Sequence, residues 1–436
     1  MLLDMEISPK LNNDNPVYPQ NSWYFYYAGY ADGFIKHAIE KYGNTFKSPV
    51  IVDPWNGSGT TTLVASMMHL TCYGFDINPA MILIAKAKLY NAKMLDIEEM
   101  KIQLSLIIPT QLSNEEYSED PLNNWFTLES LSIIRNIEEV IQNITGFKQN
   151  DRKLIRIKGL CNIETLSYEM SFYYLALFTT IKQFTKVFVG SNPTWIKSKN
   201  IEKLNIDSSE LVKLYLSNIE SMKTDCSEGV DLQKIYLSIG DSKSIPLKNE
   251  TADMVITSPP YCTRIDYAVY TKIELSLLGY NSSDIQNLRR EMIGTPTIRK
   301  GIDYSKPPQH IQFLEVSNSC LNTMEQILTH QSKAAKSYYY KTFIQYFIGM
   351  YESVKEIYRI LNKNGIAIIV VQDSWFKDVY VDVPGIVIEF AQSCGFSIIE
   401  KNDYEVRNNM NYINTKSRGY KKSKRSVESV ITFRKG

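Results

Sequence analysis

Hydrophobic and polar positions alternate along this chain in the pattern of strands separated by turns and helices. The apolar run 49–52 is followed by a glycine-rich turn, an amphipathic stretch at 63–69 and a second apolar run at 72–77. Short apolar runs bounded by turn residues predict buried strands, and spacings of three and four predict helices. Strand, glycine-rich turn, helix and strand in succession are typical of the beginning of a doubly wound, mostly parallel α/β sheet.

Between about residues 80 and 230 the apolar spacing is helical and strand signals are few. The segment Trp125-Phe126 and the stretches 170–183 and 209–222 are the clearest helical pieces. We therefore predict that a large helical insertion interrupts the sheet, which is completed afterwards. The later predicted elements are strands 235–239, 253–257, 366–371, 396–399 and 427–433, and helices 345–361 and 384–393.

Composition narrows the class of protein without defining its chemistry. Hydrophobic residues at 44% and charged residues at 22% are ordinary for a globular protein. The formal net charge of +1 means that any nucleic acid would have to be bound by a local basic patch. Six scattered cysteines without a C-x-x-C pair favour neither a disulfide framework nor a zinc site, so no metal is expected. No run approaches the length of a membrane span, and residues 1–16 are unlike a signal peptide, so we expect a cytoplasmic enzyme.

The first candidate site is the turn that follows the strand ending in Asp53. Gly57 and Gly59 allow a tight bend at a helix N-terminus, where free N–H groups can meet a ligand. A phosphate-binding P-loop would have lysine where Thr60 stands. Asp76 ends the next predicted strand, which is where a carboxylate accepts the ribose hydroxyls of a bound nucleoside. Together these residues favour a nucleoside cofactor.

The second candidate site is Thr257-Ser-Pro-Pro-Tyr261, directly after an apolar strand. Consecutive prolines cannot continue a hydrogen-bonded ladder, so the chain leaves the sheet in a rigid conformation. Their carbonyl groups are then free to accept hydrogen bonds from a ligand. A structural loop with a packed tyrosine is the alternative interpretation.

Four segments of the chain resemble the amino-directed DNA methyltransferases, which modify N4 of cytosine or N6 of adenine. Asp53–Thr61 is similar to the cofactor turn D-P-F-x-G-S-G-T-T of that family, with Trp55 in place of phenylalanine. Phe75–Pro79 resembles its ribose-binding acid motif, and Gly240–Ser242 the segment whose acid meets the cofactor adenine. Ser258–Tyr261 resembles the catalytic tetrad, in the serine version typical of the N4-cytosine branch.

The resemblance implies a Rossmann-like methyltransferase fold, S-adenosylmethionine (SAM) as cofactor and double-stranded DNA as substrate. It implies that the tetrad residues Ser258, Pro259, Pro260 and Tyr261 are catalytic. The implied cofactor-binding residues are Asp53, Trp55, Asn56, Gly57, Ser58, Gly59, Thr60, Thr61, Asp76, Ile77, Asn78, Asp241 and Ser242. The expected division is 1–92 (N-terminal helix and first half of the SAM-binding core), 93–232 (helical insertion, a candidate for target recognition), 233–275 (core with the tetrad), 276–340 (second insertion, a candidate DNA contact) and 341–436 (end of the core with a basic stretch).

The expected chemistry is direct methyl transfer to a flipped-out base. Ser258 Oγ and the Pro259 carbonyl would accept the hydrogens of the exocyclic amine, and Tyr261 would stack on the base. Covalent C5-cytosine chemistry needs a Pro-Cys dipeptide, which the chain lacks. Candidate DNA contacts are Arg264, Tyr267, Arg418 and Lys421, the last two in a run of cations interleaved with Asn, Ser and Tyr.

Several alternatives remain open at the level of the sequence. An N6-adenine enzyme would share the fold and the mechanism, since one serine in the tetrad does not alone decide the base. An RNA methyltransferase and a SAM-binding subunit without catalytic activity are further alternatives. A restriction–modification system, with a cognate endonuclease as partner, is the expected context of the favoured activity.

Overall fold

A seven-stranded sheet forms the centre of the protein. The computed structural model describes residues 8–9, 16–26, 29–107, 119–147, 163–190, 195–262, 265–299, 304, 315–406 and 426–436. The strands of the sheet are β1 (Val50–Asp53), β2 (Thr71–Asp76), β3 (Ile235–Ile239), β4 (Ala252–Thr257), β5 (Leu361–Gln372), β8 (Phe396–Val406) and β9 (Ser426–Lys435). Their order is β3-β2-β1-β4-β5-β9-β8, and β9 runs antiparallel to both of its neighbours while the others are parallel. The predicted mostly parallel, doubly wound sheet is confirmed.

Helices cover both faces of this sheet. The described α-helices are α1 (Asp32–Gly43), α2 (Thr60–Met67), α3 (Pro79–Lys88), α4 (Glu98–Ser105), α5 (Leu128–Ile144), α6 (Tyr168–Thr185), α7 (Ser208–Thr224), α8 (Tyr267–Tyr270), α9 (Lys272–Leu277), α10 (Ser282–Glu291), α11 (Asn318–Thr329), α12 (Tyr340–Ile360) and α13 (Val383–Cys394). Among the described residues, none of these helices is long and apolar enough to span a membrane.

Successive residues of each central strand pack against opposite faces of the sheet. Ile51 of β1 and Met254 of β4 pack in the hydrophobic cluster that contains α1 and α2. The next residues along the same strands, Val52 and Val255, belong to the cluster that contains α12 and α13. Successive side chains of a strand point to opposite faces, so strands buried on both faces are apolar throughout.

The strand order reverses between β1 and β4. From β1 the chain proceeds outward to β2 and β3, whereas β4 and β5 lie on the other side of β1. In doubly wound sheets, ligands bind outside the carboxyl ends of the strands at such a switch point. The fold therefore places the residues after β1 and β4 beside one another.

Helices α4–α7 lie between the two halves of the sheet in sequence and share a hydrophobic core with α3. The prediction that Trp125-Phe126 is helical is wrong. Trp125 follows a 3-10 turn (Pro121–Asn124), and Phe126 pairs with Leu204 in a parallel bridge. Both aromatic side chains are fully buried. Their apolar character therefore indicated burial and not a helical conformation.

Several predicted boundaries also differ from the structure. Residues 362–365, which separate the predicted helix 345–361 from the predicted strand 366–371, belong to β5, and there Asn364 has a left-handed φ of 62°. A hairpin of β6 (Ser374–Phe376) and β7 (Val379–Val381) was not predicted. The aromatic and then amphipathic pattern of residues 22–42 predicts one helix, but α1 begins only at Asp32, and the described residues 23–26 are not helical.

Candidate functional site

A cleft, here called the strand-end cleft, lies at the carboxyl ends of β1, β2, β3 and β4. Its empty volume, which includes open solvent at its mouth, is about 860 Å³. Four of the segments singled out from the sequence line it: residues 54–58 and 60, 76–78, 240–242 and 258–261. These segments are far apart in the chain, and the fold brings them into one site.

The glycine-rich turn between β1 and α2 forms the floor of the cleft. Gly57 and Gly59 have φ of 49° and 86°, a left-handed conformation that glycine adopts without strain. A Cβ on Gly59 would lie 2.7 Å from Ala85 Cβ, so the turn packs directly against α3. The sequence thus positions both the free N-terminus of α2 and the backbone of residues 55–58 against the cleft.

Asp53 lies behind the cleft wall and holds the ends of two strands together. Its Oδ2 accepts from the hydroxyl groups of Tyr30, at 2.8 Å, and Thr61, at 2.5 Å. Its Oδ1 accepts from Thr257 Oγ1 of β4 at 2.6 Å and from the Trp55 N–H at 3.1 Å. Burial raises the pKa of Asp53, and these hydrogen bonds oppose the rise in part. Asp53 and Thr61 therefore contribute through the shape of the site, since neither lines the cleft.

Asp76, at the end of β2, faces the cleft with a carboxylate that is already oriented. Its Oδ2 accepts from the Gly57 N–H at 2.9 Å and its Oδ1 from the Asn78 N–H at 2.8 Å. Burial raises the pKa of Asp76 to about 6, against the lowering effect of the two N–H groups. Each oxygen keeps a lone pair that can accept a ligand hydroxyl.

Asn56 provides an observation that points directly to a ligand. Its side chain is buried, and neither Nδ2 nor Oδ1 has a hydrogen-bond partner among the described residues. Buried amide groups are nearly always satisfied, so such a pair indicates an absent partner with both a donor and an acceptor. Together with Asp76 and the indole of Trp55, which lines the same cleft, Asn56 fits a nucleoside.

The segment after β3 closes one side of the cleft. Asp241 lines it and is paired with Lys243, whose Nζ lies 2.7 Å from Asp241 Oδ2. Lys243 Nζ also donates to the Glu291 carbonyl at 3.1 Å, which links this segment to the end of α10. Ser242 has its hydroxyl 2.9 Å from Ser353 Oγ of α12, so its side chain anchors the turn.

The Ser258–Tyr261 tetrad follows β4 and leaves two acceptors unengaged. Within the described part of the chain, Ser258 Oγ and the Pro259 carbonyl have no hydrogen-bond donor, and both residues line the cleft. The Pro260 carbonyl, in contrast, accepts from Tyr346 Oη of α12 at 3.1 Å. The expectation of free carbonyls therefore applies to Pro259 and not to Pro260.

Tyr261 is held at three points. Its N–H donates to Tyr267 Oη at 2.9 Å, and its own hydroxyl donates to Glu428 Oε1 of β9 at 3.3 Å. Gly294 packs against the same residue, because a Cβ there would lie 2.9 Å from the Tyr261 carbonyl oxygen. Tyr267, expected to contact a nucleotide, lies at the cleft wall and orients the tetrad.

Sequence reasoning missed a group of cleft residues that come from elsewhere in the chain. They include Tyr26, Tyr30, Glu291, Met292 and Ile293. The loop after α10 is fixed by Arg299, which donates to the carbonyl groups of residues 290, 291 and 292. No local sequence motif identifies these residues. The one available sign was Gly294, because a glycine can indicate that two backbone segments pack closely together.

Three of the predicted DNA contacts, Arg264, Arg418 and Lys421, lie outside the described residues. In the described part of the chain, no group of three or more His, Cys, Asp or Glu residues could hold a metal ion.

Comparisons with known proteins identify relatives of one kind, although no protein-family model matches the chain. It is 24% identical over 327 residues to the type II methyltransferase M.BsoBI of Geobacillus stearothermophilus, a match covering 71% of this chain and 62% of that relative. It is 22% identical over 414 residues to the type II methyltransferase M.AvaI of a Nostoc species, covering 88% of this chain and 80% of the relative. A third relative is the type II methyltransferase M.MvaI of Kocuria varians, at 23% identity, covering 78% of this chain and 73% of the relative.

Two solved structures match most of the chain, but with TM-scores of only 0.31 and 0.28. A SAM-dependent methyltransferase from Methanosarcina mazei has a TM-score of 0.31 at 8% identity, covering 91% of this chain and 96% of its own. The rRNA methyltransferase aviRa from Streptomyces viridochromogenes has a TM-score of 0.28 at 9% identity, covering 93% and 86%.

Proposed function

We propose that this chain, a relative of the type II methyltransferases, transfers a methyl group from SAM to an exocyclic amine of a base in double-stranded DNA. The preferred target in this proposal is N4 of cytosine. The observation that carries it is the shared cleft: Asp76 and Asn56, which suit a nucleoside, face the same space as the two unengaged acceptors of the tetrad. The relatives are type II methyltransferases, which supports methyl transfer as the reaction.

The cofactor would be held by residues that the fold has already oriented. When bound, SAM supplies a methyl group activated by its positively charged sulfur. Asp76 would accept the ribose hydroxyls with its two carboxylate oxygens, and Asn56 would satisfy its amide on the nucleoside. Trp55 would pack against the bound cofactor, and Asp241 would accept a hydrogen bond from the adenine. These residues bind and orient; none of them exchanges a proton in the reaction.

The target amine would be activated by Ser258 and Pro259. An exocyclic amine is a poor nucleophile because its lone pair is delocalised into the ring. Two acceptors that bond its hydrogens favour a pyramidal nitrogen with a localised lone pair. Because the rigid backbone fixes the Pro259 carbonyl before the base arrives, this acceptor can stabilise the transition state without reorganisation. The rigid Pro-Pro backbone makes this preorganisation a local property of the sequence.

Tyr261 would stack on the base, and three neighbours set its position. Tyr267 fixes its N–H, Glu428 its hydroxyl, and Gly294 allows the chain after α10 to pack against its carbonyl. A base stacked in this way must leave the duplex, at a cost of a few kcal/mol. Stacking on an aromatic ring returns about 1–3 kcal/mol of that cost.

The DNA itself would be held by cations that the sequence singles out. Arg264 follows the tetrad in sequence, and Arg418 and Lys421 belong to a basic run before β9. Because Glu428 of β9 bonds Tyr261, the start of β9 lies close to the tetrad. A cognate endonuclease and a restriction–modification role belong to the same proposal, as does a cytoplasmic location.

The test is methylation of unmodified genomic DNA by the purified chain with methyl-labelled SAM. After digestion to nucleosides, mass spectrometry identifies the labelled product. We expect label in N4-methylcytosine. Label in N6-methyladenine would retain the mechanism and overturn the base assignment, and a lack of label in DNA would refute the proposal.

A matched pair of variants assigns the reaction to the tetrad. Ser258→Ala removes one of the two unengaged acceptors and should lower kcat while SAM binding is kept. Ser242→Ala, in which the hydroxyl bonded to Ser353 is removed, changes a serine of the same cleft that has no role in amine activation. Equal losses of kcat in the two variants would argue against the assigned role of Ser258.

A further inference from the structure

A second cavity, here called the aromatic cavity, lies between the N-terminal segment, α6 and helices α8 and α9. Its walls include Trp23, Phe25, Lys182, Lys186, Trp195 and Glu274. Its empty volume is about 1500 Å³, including solvent at its mouth. None of the residues assigned to the cofactor or to the amine lines it.

The aromatic cavity shares a wall with the strand-end cleft. Tyr26 lines the strand-end cleft and Tyr270 lines the aromatic cavity, and their ring centroids are 5.7 Å apart. Tyr270 Oη also donates to the Phe25 carbonyl at 2.9 Å, which fixes this wall. A ligand in the aromatic cavity would therefore lie beside the tetrad without entering its cleft.

The polar groups at the base of the aromatic cavity are incompletely satisfied. Glu274 Oε1 accepts from Tyr24 Oη at 2.6 Å and from Lys182 Nζ at 3.0 Å. Glu274 Oε2 is buried and has no partner among the described residues, and the same is true of Trp23 Nε1. Both unpartnered atoms belong to residues that line the aromatic cavity, and buried polar groups are rarely left without a partner.

Lys182 remains a cation in these surroundings. Its Nζ lies 4.4 Å from the ring centroid of Tyr24 and 4.3 Å from that of Tyr270. Burial lowers the pKa of Lys182, but Glu274 and Tyr270 more than offset this, so the pKa is raised. The Lys182–Glu274 pair is therefore an ionic centre between aromatic walls.

Large aromatic side chains at the mouth of the cavity are exposed to solvent. Phe25 is 55% exposed and Trp195 is 48% exposed, and Lys186, directly after α6, is exposed and lines the same cavity. Exposed aromatic rings next to cations are the combination by which proteins bind single bases, through stacking on the π-face and attraction of the phosphate. A nucleobase also carries donors and acceptors on its edge, which Glu274 and Trp23 require.

We infer that the aromatic cavity binds a nucleobase of the DNA substrate other than the base that is methylated. The inference rests on the proposed function, because it takes DNA as the substrate. The methylated base must reach Ser258 and Pro259, which line the other cleft, so a base bound in the aromatic cavity would be a second base of the substrate. Such a base would lie near the target and contribute to the choice of sequence.

The test compares three variants at exposed aromatic residues. Trp195→Ala and Phe25→Ala remove the rings at the mouth, and both positions are exposed enough to leave folding intact. Tyr236→Ala is the matched control, since Tyr236 on β3 is 49% exposed and does not line the cavity. Methylation of unmodified genomic DNA gives KM for DNA and kcat, and calorimetry gives Kd for SAM.

We expect the first two variants to raise KM for DNA by roughly 5- to 150-fold, the range of one lost stacking contact, with unchanged Kd for SAM. Tyr236→Ala should behave as the unsubstituted chain. If Trp195→Ala and Phe25→Ala methylate DNA with unaltered KM, the inference is wrong while the proposed function stands. If the unsubstituted chain methylates no DNA, the proposed function itself fails, and the inference with it.

Hydroxyl-radical footprinting of the unsubstituted chain gives an independent measurement that does not depend on folding of a variant. Genomic DNA should protect Trp195 and Phe25 from oxidation and leave Tyr236 as reactive as before. Unchanged oxidation of Trp195 in the DNA complex would overturn the inference.

Discussion

The raised pKa of Asp76 predicts that SAM affinity falls as the pH is lowered through about 6. A carboxylate that accepts two ribose hydroxyls must be ionised, so a proton and the cofactor compete for Asp76. In the cofactor-free protein, burial raises this pKa, while the N–H groups of Gly57 and Asn78 lower it and the nearby Asp53 charge raises it. The ionised form therefore dominates above pH 6, and the protonated form below it.

The expected size of the effect follows from the titration. At about pH 5, one unit below the pKa, roughly one Asp76 in ten is ionised, so Kd for SAM should be about tenfold higher than at about pH 8. Above about pH 7 the affinity should be constant. The contribution of Asp76 to the stability of the cofactor-free chain has the opposite sign. Its pKa is raised on folding, so this contribution is present at low pH and is lost as the pH rises through about 6.

Calorimetric titration of SAM into the purified chain across this pH range is the assay, with Asp76→Asn as the comparison. Asparagine has a single acceptor oxygen, so one of the two N–H donors loses its partner. We expect affinity at about pH 8 to fall by about 1.5–3 kcal/mol, the value of a hydrogen bond to a charged group, and to become independent of pH. A Kd for the unsubstituted chain that does not change between about pH 5 and pH 7 would refute the assignment of Asp76.

Three further predictions concern the supports of the site. Tyr346→Phe should cost about 1 kcal/mol in chemical denaturation and lower kcat, because the Pro260 carbonyl loses its donor; unaltered kcat would show that this bond does not position the tetrad. Glu428→Gln keeps an acceptor for the Tyr261 hydroxyl, so its kcat should stay near the unsubstituted value while Glu428→Ala loses activity; equal kinetics of the two would contradict this. Gly59→Ala should destabilise the fold by about 2 kcal/mol or more in thermal unfolding, owing to its positive φ and the close packing against α3; a smaller loss would mean that the turn can shift.

The sheet could be predicted from the sequence where strand patterns are local. The apolar runs at 49–52, 72–77 and 253–257 predicted strands, and the observed β1, β2 and β4 agree with them to within one residue at each end. The β6–β7 hairpin could not be predicted in this way, since its strands have three residues each and leave almost no periodic signal. Trp125 shows the opposite error, since its apolar pattern predicted an element that is not there. Its burial comes from contacts with helices that are distant in sequence.

The candidate site was predictable in the parts that are contiguous in sequence. The backbone conformations of the turn after β1 and of the tetrad after β4 are set locally, by glycines in the first and by prolines in the second. The residues that hold the tetrad do not, because Tyr346 is 86 positions from Pro260 and Glu428 is 167 from Tyr261. Contacts over such separations depend on the folded topology, and a single sequence gives no local sign of them.

The pairing of β1 with β4 has a consequence for how the chain is synthesised and folds. The two strands are adjacent in the sheet, yet Asp53 and Thr257, which bond across them, are 204 positions apart. Contacts of such long range close late, because the entropy of closing the intervening loop must be offset first. As the chain emerges from the ribosome, β1 and β2 precede the strand that covers their inner edge. During that interval β1 has an unpaired edge, and the chain is exposed to aggregation until β4 arrives.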